Sequence, residues 1–94
     1  MTTKAEKFEI EVGQNVFIRC LTYHYTGKVA AIDDKQICLT QAAWIADSGR
    51  FATAMANGQL SEVEPYPEDV RVFISRNNIV DICDWKHDLP RLQK

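Results

Sequence analysis

Four groups of residues have side chains suited to chemistry or recognition. Tyr23-His24-Tyr25 places two phenol rings around an imidazole. Strand alternation would set Tyr23 and Tyr25 on one face and His24 on the other, making a platform on which bases could stack. Cross-strand packing or a subunit contact is the commoner use of such rings. Asp81, Asp84 and His87 recur every third residue and offer oxygen and nitrogen ligands. A metal site wants a fourth donor, and a solvated strand end accounts for these residues better. Cys20, Cys38 and Cys83 could each supply a thiolate, but reactive thiolates need an electropositive, partly exposed niche. Each lies in an apolar run with no His or Lys beside it. Last, Ser75-Arg76-Asn77-Asn78 is a polar tip between the apolar runs Val72–Ile74 and Ile79–Ile82, and Lys35-Gln36 closes another polar turn. Ordinary turn chemistry accounts for both tips, because Asn tolerates left-handed backbone. No phosphate loop, paired-carboxylate motif or serine elbow is present. The expectation is a protein that is not an enzyme and carries no cofactor and no metal.

The elements that hold these residues must fit in a short chain. Its 94 residues make one domain, and a domain of this size buries only roughly 60–65% of its unfolded surface. Thin cores are commonly supplemented by disulfides, metals or partner subunits. The cysteines are odd in number and none pairs at metal-clip spacing, which fits a reducing compartment. Oligomerisation is the supplement that remains. Net charge is −2, unlike the basic balance of a general nucleic-acid binder. The charge is uneven: Glu62, Glu64, Glu68 and Asp69 stand together without a cation, and Lys86, Arg91 and Lys94 follow later. No stretch is apolar enough to span a bilayer, and the polar start has no signal-peptide core. A soluble, cytoplasmic protein is expected.

Along the chain, residues 1–7 are expected as a flexible end. Phe8 to Val12 alternates like a strand, while Thr3 and Glu6 also fit a helix-capping pair. Val16 to Tyr25 is strand, or strand–turn–strand, and Thr26-Gly27 is the first breaker. Lys28 to Ile32 is strand, Asp33-Asp34-Lys35 a turn, and Ile37 to Ile45 strand. Asp47-Ser48 offers a helix N-cap and Asn57-Gly58 a stop, with Arg50 to Ala56 between them and Phe51 and Met55 on one edge. Trp44, Phe51, Met55 and Trp85 form either a plug or an exposed partner patch, and the plug is the default. An acidic, proline-bearing loop follows. The last hairpin is Val70–Ile74 and Ile79–Cys83, and residues 86–94 read as a second flexible tail. The prediction is an all-β domain over 1–94: a small, strongly bent antiparallel barrel of five strands. A short helical insertion, within residues 46–69, separates strands three and four.

The hairpin from Val72 to Ile82 resembles the second signature of the Sm and Sm-like (LSm) family. That signature is an apolar residue, Arg-Gly, two variable residues, then an apolar pair three apart. Ile74, Ser75-Arg76, Asn77-Asn78, Ile79 and Ile82 fall on it. Val16, Ile18, Cys20, Gly27, Val29, Asp34, Ile37, Cys38 and Leu39 resemble the first signature. The resemblance, to a divergent bacterial or phage-type member, implies a homo-oligomeric ring of about five to seven subunits closed by strand pairing between neighbours. It implies that Val72, Ile74, Ile79 and Ile82 lie at or behind the interface. It also implies that Lys35, Gln36, Arg76, Asn77 and Asn78 face single-stranded RNA at the inner rim. Three positions depart from the family: Cys38 replaces its Asn, Ser75 its Arg and Arg76 its Gly. A thiol cannot offer an amide's paired donor and acceptor, and neither Lys35 nor Gln36 can stack as an aromatic would. The usual uridine pocket is not carried over, which leaves phosphate contacts from Lys35 and Arg76. The leading expectation is an RNA-binding ring with altered base readout; the alternative is a scaffolding ring without RNA.

Overall fold

A computed structural model describes residues 10–94. Expectations for the first nine residues, and the Phe8–Glu9 part of the first alternating segment, lie outside it. Ile10 to Gln14 is irregular rather than strand, with a turn at Val12-Gly13. Six strands follow: β1 (Asn15–Cys20), β2 (His24–Ile32), β3 (Gln36–Asp47), β4 (Glu62–Pro65), β5 (Val72–Ser75) and β6 (Ile79–Asp84). One helix, α1 (Phe51–Asn57), stands between β3 and β4, and a 3-10 turn (Arg76–Asn78) joins β5 to β6. All pairings are antiparallel. The sheet is an open path, β4-β3-β2-β1-β6, with β5 also paired to β3. It has six strands rather than the expected five, and the additional one, β4, lies in the stretch read as an acidic loop.

The long strand β3 carries two partners in series. Its first part pairs with β5, Gln36 opposite Ser75 and Leu39 opposite Val72, and its second part pairs with β4 from Ala43 to Asp47. Between them Gln41 takes φ 50°, a left-handed value uncommon for a residue with a side chain. This break changes which face each side chain serves. Ile37 and Leu39 belong to one buried cluster, with Val16, Ile18, Val29, Val72 and Ile74. Ala43 and Ile45, of the same parity, belong to a second, with Phe17, Ala54, Leu60, Val63 and Trp85. Regular alternation would have kept them on one face. β1 is therefore buried on both sides, with Val16, Phe17 and Ile18 wholly inaccessible.

The second cluster is covered by α1 and the end of the chain. Arg50 is the N-cap and makes no side-chain cap bond, so the Asp47-Ser48 cap is not used; Gly58 closes the helix at φ 73°, where a residue without Cβ is at ease. Phe51 meets Phe17 edge-on at 5.7 Å. Residues 86–94, expected as a tail, are tied to the sheet. The Trp85 indole donates to the Asp88 carbonyl at 3.0 Å, and Lys94 exchanges two backbone bonds of 2.9 Å with Val63 of β4. Phe51, Met55 and Trp85 thus pack together on the second cluster, at the face of an open sheet, and Trp44 faces the other way. Gly27 is not a breaker. It lies inside β2 opposite Val16, where a Cβ would meet the Leu39 side chain at 3.0 Å.

Candidate functional site

The two polar tips are adjacent in space because β3 pairs with β5. The Arg76 amide donates to the Lys35 carbonyl at 2.9 Å, and Gln36 stands opposite Ser75. Lys35, Gln36, Arg76, Asn77 and Asn78 are all exposed. Asp33 organises the cluster: its carboxylate accepts from the amides of Lys35 and Gln36, each at 2.8 Å. Those bonds, ahead of the nearby cations Lys35 and Arg76, hold its carboxyl pKa below the usual carboxylate range. The Arg76 guanidinium donates to the Asp33 carbonyl at 2.7 Å. One of the two cations suited to phosphate is thus partly engaged, and Asp33 and Asp34 offset the charge of Lys35 and Arg76.

Of the four residues expected at or behind an interface, two are buried and two half-buried. Val72 and Ile74 are buried in the first cluster, Ile74 only 4% exposed, and Ile79 and Ile82 pack against that cluster. What the same strands present outward is Phe73 (53% exposed) on β5 and Val80 (58%) on β6. Strand alternation could have singled out Phe73, between two inward residues; the family pattern drew attention to its neighbours instead. The Arg71 guanidinium lies 5.2 Å from the centre of the Phe73 ring. Among the described residues, β5 pairs only with β3 and β6 only with β1, so each keeps one edge without a partner.

The remaining sequence candidates separate from one another. Asp81 forms an ion pair with Arg19 through two contacts, one of 2.8 Å from Nε. That hydrogen bond first, and the Arg19 charge after it, hold the Asp81 carboxyl below the usual carboxylate range, so it stays ionised to lower pH. Asp84 accepts from the Gln14 amide, and His87 Nε2 lies 2.7 Å from the Met55 carbonyl. No cluster of three metal-binding side chains occurs among the described residues. All three thiols are free, and burial pushes those of Cys20 and Cys83 up, which keeps them protonated.

Tyr23 and Tyr25 share a face while His24 turns to Phe17, 5.6 Å between ring centres. The two tyrosines line a cleft of about 420 Å³ with Trp44, Glu64, Pro65, Tyr66 and Pro67. Tyr25, Trp44 and Glu64 form one row across β2, β3 and β4. The chemistry of Tyr23 and Tyr25 was visible in their spacing. Their convergence with Tyr66 was not, because it needs β4 and the turn after it. The chain matches no family model, no curated protein and no solved structure.

Proposed function

We propose that this protein is a ring-forming structural module, Sm-like in its assembly, in which β5 of one subunit pairs with β6 of the next. The observation that carries the proposal is the pair of unpartnered edges, each bearing an exposed apolar side chain, Phe73 or Val80. Open edges are hazards for a monomer, and pairing them head to tail around a closed ring removes the hazard. The flanking charges support joining unlike edges: Arg71 and Arg76 bracket β5, whereas Asp84 ends β6, where Asp81 is already paired with Arg19. Two like edges would oppose charges of one sign. Phe73→Asp and Val80→Asp should each reduce the particle to a folded monomer in light scattering. A wild-type monomer at tens of micromolar contradicts the proposal.

The adjacency of the Lys35-Gln36 and Arg76–Asn78 tips favours a second reading, RNA contact at the rim of that ring. The near-neutral charge of the tips makes it the weaker one. Labelled oligouridine and oligoadenosine should then bind with affinity that falls as salt rises, by about 0.7 in log K per log salt for each phosphate neutralised. Lys35→Ala and Arg76→Ala would each reduce that slope. Absence of binding at low salt rejects this reading and leaves the scaffold standing.

A further inference from the structure

The aromatic cleft points to an activity separate from assembly. Tyr23 meets Trp44 at 4.8 Å between ring centres and at 63°, so the two rings form a corner rather than a stack. Tyr25 and Tyr66, both packed on the first core cluster, floor the cleft, and Pro65 and Pro67 wall it. The floor is held from behind. Tyr66 donates its amide to the Ala42 carbonyl at 2.8 Å, and Arg91 donates to the carbonyls of Ala42 and Tyr66 at 3.1 and 2.7 Å. Arg91 is a positioning residue here, and its guanidinium is occupied by those two carbonyls.

Among the described residues, Glu64 is the one charged residue lining the cleft. It sits in a stretch, residues 59–69, that also carries Glu62, Glu68 and Asp69 and has no Lys or Arg. Such a field repels phosphates and attracts cations. Aromatic faces attract cations through their quadrupole, more so where water is partly excluded. A guanidinium satisfies both features at once, because it is planar enough to stack on an indole or phenol and forks onto a carboxylate. A lysine ammonium, compact and strongly hydrated, matches the rings less well. We propose that the cleft binds an arginine side chain of a peptide partner, stacked in the Tyr23–Trp44 corner and paired with Glu64.

The test is an amide and indole NMR titration of the full-length chain at low salt. The probes are acetyl-Gly-Gly-Arg-Gly-Gly-amide and the same peptide with citrulline, which keeps the shape and removes the charge. The arginine peptide should shift Tyr23, Tyr25, Trp44, Glu64 and Tyr66 selectively and bind about tenfold more tightly than the citrulline peptide. Glu64→Gln, at an exposed position, should keep the fold and erase most of that difference. Trp44→Leu should abolish binding while the remaining amide spectrum persists. Equal response to the two peptides, shifts confined to the acidic residues, or no shift overturns the proposal. Oligouridine shifting the same rings would make the cleft a base platform instead. A fall in particle mass on Trp44→Leu would assign it to a second copy of the chain. Glu64→Gln leaves the β5 and β6 edges intact, so failure here is distinguishable from failure of the ring.

Discussion

At the residue scale, the charged groups make different pH predictions from the thiols. Asp81 is held below the usual carboxylate range by Arg19. Its contribution to stability is therefore complete above the unfolded value of about 3.9 and is lost as pH falls through the lower folded value. Asp81→Asn should flatten the acid limb of a thermal-midpoint profile and leave the alkaline limb unchanged. Cys20 and Cys83 behave oppositely, because burial raises them. Their contribution is complete below the unfolded value of about 8.5 and is lost as pH rises through the higher folded value. Thermal midpoints measured from pH 7 to 10 should fall on the alkaline side, and Cys83→Ala should lessen that fall. An unchanged alkaline slope in this variant would mean that its thiol ionises as freely folded as unfolded.

At the element scale, the close approach of β2 and β3 is the most sensitive point. Gly27 leaves 3.0 Å between a hypothetical Cβ and Leu39, and Leu39 is itself wholly buried. Gly27→Ala should cost about 1–3 kcal/mol, a drop of roughly 4–24 °C in thermal midpoint for a chain this size. A midpoint within a degree of wild type would mean that the strands separate at no cost. Gly27 also shows where sequence reading stops. A glycine beside a threonine looks like a turn, and only the register with β1 and β3 reveals it as a contact point. The strands themselves were legible from β-branched and alternating residues, and so were the helix and its Gly58 stop. Glu62–Pro65 was not, because two glutamates and a proline have weak strand preference, and pairing with β3 decides the matter. The face change at Gln41 leaves no mark in composition. The docking of residues 86–94 depends on partners such as the Met55, Ala42 and Val63 backbone, far away in sequence.

At the scale of the whole molecule, the proposed assembly rests on a division of labour within β5. Val72 and Ile74 hold the subunit together, and Phe73 and the free edge are offered outward. Ile74→Asp should therefore unfold the subunit, a loss visible by circular dichroism, and cannot report on the interface. Phe73→Asp should change the particle's size with the secondary structure retained. The paired tips were legible as two polar turns, and their adjacency follows once β3 pairs with β5. Whether they hold RNA depends on a charge balance that Asp33 and Asp34 pull back toward neutrality.

The most direct test of the assembly is native mass spectrometry of the wild-type protein, purified without nuclease. The account predicts one dominant species at an integer multiple of 10.7 kDa, with no added mass that nuclease removes and with dissociation to monomers in Phe73→Asp. A wild-type protein that flies as a monomer at every concentration would contradict it.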